Sequence, residues 1–223
     1  MSETPFLPRR LAGWATFVAI VAALNYASRF SGGGGGDGQE LYRWSTFVGG
    51  IVLYGVWAGV VLLIVADRFE LLALRRPASW AAAGRLAVAV VVGIYVWEAV
   101  VSTLPLPQSP GKEQGLAPTH WEPAHAGAFV ANVALFALVA PVVEELTFRG
   151  AGQSLLRFLG RSPSILLVGV AFGLAHGLVE ALLVLVPFGV ALAWLRDRTR
   201  SSVPGMLVHA LFNGLALAFS VLS

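Results

Sequence analysis

Long apolar runs separated by short polar segments make up most of this chain. A helix that crosses a bilayer needs about 20 mostly apolar residues, and about seven runs approach that length. The runs cover residues 11–29, 41–66, 79–104, 124–148, 163–179, 181–195 and 203–222. The fifth and sixth are short and almost contiguous, so we expect broken or tilted helices there, covered by protein or lining a wet cavity. This pattern predicts an all-α fold, a polytopic transmembrane helix bundle with about seven spans.

Basic residues are distributed unevenly among the segments that join these runs. With the N-terminus inside, the inner segments hold twelve arginines and the outer segments hold three basic residues. Arginine and lysine are enriched in the cytoplasmic loops of membrane proteins. We therefore predict a cytoplasmic N-terminus and, with seven spans, a C-terminus on the outer side.

Composition agrees with this interpretation and excludes several classes of protein. Of the 223 residues, 57% are hydrophobic and only 12% are charged, whereas soluble domains have about 25% charged residues. The chain has no cysteine, which excludes a disulfide framework, a thiolate zinc site and a cysteine nucleophile. The isoelectric point is near 9.8, but the basic residues form short clusters between apolar runs, so we expect the lipid bilayer and not nucleic acid as a partner.

Polar groups inside the apolar runs are concentrated in the C-terminal half of the chain. A charged side chain at the centre of a membrane helix costs about 2.5–3.5 kcal/mol on insertion scales, so such residues are candidates for function. We therefore divide this single membrane domain into two regions. Residues 1–123 form an N-terminal three-span region with outer loops, and residues 124–223 form the helical core that carries the chemistry.

The first polar cluster is the stretch VVEELTFRG, residues 142–150. Glu145 and Arg149 are four positions apart and can pair on one face of a helix. Glu144 points about 100° away and has no such partner, which leaves it free for proton transfer. Pro141 lacks a backbone donor, so we expect a freed carbonyl near Ala137 and a bend just before the glutamates. The same residues also fit two interfacial glutamates that reach water, with Arg149 following the positive-inside rule.

Two further clusters pair a histidine with a second residue at the same helical spacing. Phe172 and His176 lie in the fifth run, and His209 and Asn213 lie in the last. Each pair alone also fits a packing role, as a core histidine or a polar clamp between helices. Together with a free carboxylate and an arginine, however, two imidazoles and an amide are suited to activating water and stabilising an oxyanion.

These three stretches resemble, in order, the three motifs of one family of membrane proteases. EELTFR (144–149), FGLAH (172–176) and HALFN (209–213) match the patterns EExxxR, FxxxH and HxxxN. The family is the CAAX protease and bacteriocin-processing (CPBP, or ABI) family of intramembrane endopeptidases. The resemblance covers about residues 124–222, and the three N-terminal runs carry none of it.

The resemblance implies a peptide hydrolase with a defined set of site residues. It implies that Glu144 activates the attacking water with help from His176, and that His209 and Asn213 stabilise the oxyanion. The residues with implied supporting roles are Glu145, Arg149 and Phe172. Two histidines and a carboxylate also resemble a zinc site, whose ligands would be Glu144, His176 and His209. The glutamate-and-water scheme needs no ion, so we predict no required metal.

Substrates within the resembling family are diverse. They include prenylated CAAX ends, bacteriocin leaders and, for myxosortase-like members, C-terminal surface-anchor signals. We expect a membrane-anchored or lipidated protein or peptide, cut at a C-terminal tail, an anchor signal or a leader. The composition is typical of a high-GC bacterial genome, so the expected location is the bacterial inner membrane and the latter two groups fit better than prenyl processing.

Two other classes of function fit parts of the same pattern. One is a non-catalytic CPBP-like membrane protein that acts as an immunity factor or a scaffold. The other is a transporter or proton relay, because glutamate and histidine in membrane helices also mark ion pathways. The intact motifs favour an enzyme over the first, and the lack of a matching polar set in the N-terminal half disfavours the second.

Overall fold

The computed structural model describes residues 7–33, 39–105, 113, 118 and 121–220. These residues form helices joined by turns and contain no strand, which confirms the predicted all-α membrane bundle. The N-terminal helices are α1 (Leu7–Ser28), α2 (Trp44–Ile64) and α3 (Trp80–Val101). A π-helical turn, Arg29–Gly33, extends α1, and short 3-10 turns lie at Glu40–Tyr42 and Phe69–Leu72.

The fourth span is a continuous helical stretch, Pro123–Leu159, that switches to π winding twice. Its segments are α4 (Ala126–Ala134), a first π segment (Leu135–Val139), α5 (Ala140–Glu145), a second π segment (Leu146–Gly152) and α6 (Gln153–Leu155). The predicted run ended at 148, one residue before Arg149 completes the charged motif. The helix instead continues, because these charged side chains are buried in the bundle and not at the membrane surface.

The C-terminal helices are α7 (Arg161–Ala175), α8 (Leu182–Thr199) and α9 (Val203–Ser220). A turn separates α7 from α8, as the almost contiguous apolar runs predicted. Gly177 in this turn has a φ of 66°, and a Cβ atom there would lie 2.6 Å from the Asn25 backbone. Glycine is therefore required both by the backbone conformation and by the close approach of α1.

Several helices have the length and apolar character of membrane spans. Among the described residues, four are long enough to cross a membrane: α1 with its π turn, α2, α3 and the fourth span. The α2 helix has a mean hydropathy of 2.3, and only 6% of its most apolar stretch is buried inside the protein, so its apolar side chains are available to lipid. The chain is therefore an integral membrane protein with α7, α8 and α9 packed around the fourth span.

Two tryptophans of the N-terminal helices hold the second π segment in place. Trp14 Nε1 donates to the Thr147 carbonyl at 2.9 Å, and Trp57 Nε1 donates to Thr147 Oγ1 at 2.8 Å. A Cβ atom at Gly152 would lie 2.4 Å from the Trp14 ring, so only glycine lets this indole approach. A change from α to π winding leaves backbone groups without their usual partners, and Trp14 of α1 supplies one to the Thr147 carbonyl, while Trp57 of α2 binds the Thr147 hydroxyl.

Candidate active site

The two adjacent glutamates lie on α5, between the two π segments, and both are buried. Glu144 is 7% exposed and Glu145 is fully buried. Tyr54, which lies midway along α2, donates a hydrogen bond to Glu144 Oε1 at 3.3 Å. Glu144 is therefore at the level of the middle of α2, and the alternative of two interfacial glutamates reaching for water does not hold.

Glu145 has two partners, of which the sequence predicted one. Its Oε1 lies 2.8 Å from Arg149 Nη1, and both side chains are completely buried. The same oxygen lies 3.2 Å from His209 Nδ1 on α9. A Cβ atom at Gly205 would lie 2.6 Å from Glu145 Oε2, so a glycine lets α9 come this close. Glu145 thus links the fourth span to α9 as well as neutralising Arg149.

Arg149 connects this ion pair to the aromatic side chains behind it. Its Nη2 donates to the Gly189 carbonyl at 3.1 Å, and its guanidinium carbon lies 4.3 Å from the centre of the Phe172 ring. The Phe172 ring centre is 4.7 Å from that of His176 and 5.5 Å from that of His209. Phe172 therefore packs against both imidazoles and keeps water from the rear of the site.

The two imidazoles approach Glu144 with the same ring nitrogen. Glu144 Oε2 lies 3.9 Å from His176 Nε2 and 3.8 Å from His209 Nε2. His176 Nδ1 is 2.8 Å from the Phe172 carbonyl, which can only accept, so the Nδ1 atom carries the proton. Glu145 has the same effect on His209 Nδ1. In the neutral imidazoles both Nε2 atoms are therefore acceptors.

Three acceptor atoms thus face one another around Glu144. Its Oε2 is buried and has no hydrogen-bond partner among the described residues. A water molecule donates two hydrogen bonds, so it can bridge Oε2 and one of the Nε2 atoms at about 2.8 Å from each, which fits the separations of 3.8 and 3.9 Å. The arrangement is therefore suited to holding and polarising a water molecule beside a carboxylate.

The same three side chains would be the ligands of a metal ion. A carboxylate oxygen and two imidazole nitrogens match a zinc site in type. Around tetrahedral zinc, with bonds of about 2.0–2.1 Å, ligand atoms lie about 3.4 Å apart, and the separations here are 3.8 and 3.9 Å. Within the described ranges, no group of three His, Asp or Glu side chains is close enough to hold a metal ion. The donors match zinc in type, and their spacing is wider than zinc requires.

Asn213, the last of the predicted site residues, lies half-buried on α9 and contacts the first π segment. Ala140 N–H bonds to the Leu135 carbonyl in the π register, so the next bond in that register would join Pro141 to Phe136. Proline has no N–H, and Asn213 Nδ2 donates to the Phe136 carbonyl at 3.0 Å instead. The freed carbonyl is thus that of Phe136, next to Ala137, because π winding shifts the pairing by one residue.

Sequence reasoning missed Tyr54 as a partner of Glu144, and Trp57 beside it. Both lie in the stretch YGVW of α2, between apolar residues. The available signal was that a buried tyrosine hydroxyl or indole N–H in a membrane helix needs a polar partner. The sequence alone could not identify the partner, since Tyr54 and Glu144 are 90 positions apart.

Comparison with known families matches one family model to part of the chain. Residues 126–215 match the family described as Rce1-like, type II CAAX prenyl endopeptidase Rce1-like. All seven predicted site residues lie inside the matched region, whereas Tyr54 lies outside it. This part of the chain is similar to the Rce1-like family, which confirms the resemblance to the CPBP proteases. No curated protein and no solved structure matches the chain.

Proposed function

We propose that this chain is an intramembrane endopeptidase in which Glu144 activates the attacking water. The observation that supports the proposal best is the meeting of Glu144 Oε2 with the Nε2 atoms of His176 and His209 at 3.9 and 3.8 Å. Water held there lies beside a carboxylate that can take its proton and an imidazole that orients it. The family match supports peptide hydrolysis as the class of reaction.

The remaining groups fit the later steps of the proposed reaction. Glu144 takes a proton from water as the oxygen attacks the scissile carbonyl, and then gives it to the leaving nitrogen. For this step His209 takes up a proton from solvent at Nε2 while Glu145 holds Nδ1, and Nε2, which is then no longer an acceptor, donates to the oxyanion. Asn213 has a second Nδ2 proton beyond the one given to Phe136, which serves as a further oxyanion donor.

The proposed substrate is a membrane-anchored or lipidated protein or peptide. Glu144 lies level with the middle of α2, so the scissile bond must come to a site within the bilayer. A C-terminal tail, an anchor signal of the myxosortase-like kind or a leader meets this requirement, as does a prenylated CAAX end. The proposed location is the bacterial inner membrane, with the N-terminus in the cytoplasm.

The test is cleavage of a peptide panel by the protein purified in detergent. The panel holds prenylated CAAX tails, single-span anchor tails and leader peptides, each offered to the wild type, Glu144→Gln and His176→Ala. We expect at least one peptide to be cut and each variant to lose about 100-fold or more of the rate, as for loss of a general base. Glu98→Gln, a carboxylate change in α3, is the matched control and should cut normally.

Two outcomes would contradict the proposal in different ways. Cleavage that persists in both Glu144→Gln and His176→Ala would disprove the site. A wild type that cuts no peptide, while the same substitutions abolish an immunity or binding phenotype, would favour the non-catalytic scaffold. The same assay with a chelator tests whether a metal ion is required. If the chelator abolishes cleavage and added zinc restores it, Glu144, His176 and His209 are metal ligands.

A further inference from the structure

A small pocket lies far from the candidate active site, at the end of the bundle that holds most of the arginines. It begins at Gln153, nine residues after Glu144, or about 13 Å along a helix. The cavity has a volume of about 100 Å³. Its lining residues come from the end of the fourth span, the first turn of α7 and the end of α8, and they are Gln153, Arg157, Arg161, Ser164, Arg196 and Asp197.

Arg196 is a buried cation without a neutralising partner. It is only 3% exposed, and Nη2 donates to the neutral Ser154 hydroxyl at 2.6 Å. Its Nε has no hydrogen-bond partner among the described residues. No carboxylate in the same part of the chain forms an ion pair with it, whereas Arg149, which is also buried, is paired with Glu145. A buried, unpaired charge is costly, so this site favours an anion.

The other walls of the pocket add positive potential. Arg157 and Arg161 line the opening, and Arg161 pairs with Asp197 at 2.6 Å. Three arginines against one aspartate leave two positive charges in the lining. The first turn of α7 forms one wall, and Gly160 before it supplies no side-chain cap. Pro163 has no N–H and the Ser164 N–H binds the Gly160 carbonyl, which leaves those of Arg161 and Ser162. Free N–H groups and the helix dipole at such an end also favour an anion.

We propose that this pocket binds a phosphate group. Guanidinium groups from two helices can bind phosphate oxygens with paired hydrogen bonds, for which arginine is better shaped than lysine. The predicted topology places this end of the bundle at the cytoplasmic headgroup layer, where basic pockets between membrane helices bind anionic lipid headgroups. The phosphate therefore comes from an anionic phospholipid of the inner leaflet or from free inorganic phosphate.

Binding measurements on the detergent-purified full chain test this proposal. The probes are inorganic phosphate, micelles doped with phosphatidylglycerol and micelles doped with zwitterionic phosphatidylcholine, read by thermal shift and by lipid retention in native mass spectrometry. The variants are Arg196→Gln and Arg157→Gln, the second of which changes an exposed side chain and so does not risk the fold. Arg198→Gln is the matched control, because Arg198 is exposed on the same helix and lies over Trp194 outside the pocket.

We expect phosphate or phosphatidylglycerol to bind more tightly than phosphatidylcholine. Each pocket variant should weaken this binding about tenfold, as expected for loss of one charge-assisted hydrogen bond, and Arg198→Gln should leave it unchanged. Binding of phosphatidylglycerol but not of inorganic phosphate identifies the lipid as the source, and the reverse identifies the free ion. The proposal is overturned if neither phosphate nor phosphatidylglycerol binds. It is also overturned if Arg198→Gln weakens binding as much as the pocket variants do, since that would show general attraction to a positive surface.

Discussion

At the scale of single residues, Glu144 and Glu145 are adjacent in the chain but have different surroundings. Glu145 is fully buried and bonded to Arg149 and His209, so it joins two helices through charge. Glu144 accepts one hydrogen bond, from Tyr54, and turns its other oxygen toward the two imidazoles. Experiments can therefore separate the structural role of Glu145 from the proposed catalytic role of Glu144.

Glu145→Gln should destabilise the protein much more than Glu144→Gln. Removing one partner of a buried ion pair leaves Arg149 uncompensated and costs about 3–5 kcal/mol, whereas Glu144 neutralises no buried arginine. Thermal unfolding in detergent measures this difference, and the peptide assay measures activity alongside it. Equal melting temperatures for the two variants would show that Glu145 does not have the structural role described.

Tyr54→Phe should lower kcat about tenfold with little change in KM. The substitution removes the hydrogen bond that Tyr54 donates to the Glu144 carboxylate. A hydrogen bond to a charged group is worth about 1.5–3 kcal/mol. Tyr95→Phe is the matched control, since the Tyr95 hydroxyl is buried on α3 without a hydrogen-bond partner. Steady-state kinetics on any cleaved peptide give the comparison. A Tyr54→Phe enzyme with unchanged kcat would remove Tyr54 from the site.

At the scale of the elements, the site depends on helices that cross very closely. The α9 helix approaches α5 through Gly205, and the α7–α8 pair crosses through Gly169, where a Cβ atom would lie 2.4 Å from Val190. The π segments on either side of α5 free backbone groups that other helices then bind, as Asn213 binds Phe136. Close packing of the helices at this site thus brings side chains of one helix within hydrogen-bonding distance of another helix's backbone.

Gly205→Ala should destabilise the protein by about 1–3 kcal/mol, the usual cost of overpacking a well-filled core. The new methyl group would lie 2.6 Å from Glu145 Oε2 and would push α9 away from α5. The control is Gly93→Ala in α3, where an added Cβ meets no atom within 4 Å and alanine is the better helix former. Thermal unfolding of both variants gives the comparison, and an unchanged melting temperature for Gly205→Ala would contradict the close approach.

At the scale of the whole molecule, N-terminal residues outside the family match hold the site region from two sides. Trp14 and Trp57 bind the second π segment near the middle of the bundle. At one end of the bundle, Glu113 accepts hydrogen bonds from the N–H groups of Val179 and Ala181 at 2.7 and 2.6 Å, just after His176. Arg29 at the end of α1 pairs with Glu113 at 2.5 Å. The turn that positions His176 is therefore held by groups far away in sequence.

The Glu113 contact should make stability depend on pH. Burial works to raise the pKa of this carboxyl, but the two N–H groups and Arg29 hold the pKa below its ordinary value near 4.5. A lowered pKa in the folded state stabilises the protein fully above about pH 4.5, and this contribution is lost as the pH falls through the folded value.

At pH 7 the wild type should therefore melt at a higher temperature than Glu113→Gln. The difference should be about 2–4 °C for each kcal/mol of folding free energy that the ionised Glu113 contributes, and it should shrink below pH 4.5. Glu40→Gln, which alters a surface carboxylate paired with Arg43, serves as the control and should show little difference at any pH. A gap between wild type and Glu113→Gln that stays constant down to pH 3 would contradict this account.

The sequence by itself determined the features that depend on near neighbours along the chain. Apolar runs of span length predicted the helices, because a bilayer demands internal hydrogen bonding over about 20 residues. Helical spacing predicted the pairing of Glu145 with Arg149 and of Phe172 with His176, since residues four apart share a face.

Only the tertiary structure decided which distant groups meet these residues. The second bond of Glu145 goes to His209, 64 positions away, and the bond to Glu144 comes from Tyr54, 90 positions before it. The first π segment shifts the freed carbonyl to Phe136, which Asn213 of α9 binds. The second π segment likewise receives a hydrogen bond from Trp14 of α1. Such contacts follow from how helices pack, and periodicity along one helix carries no information about the partner across the bundle.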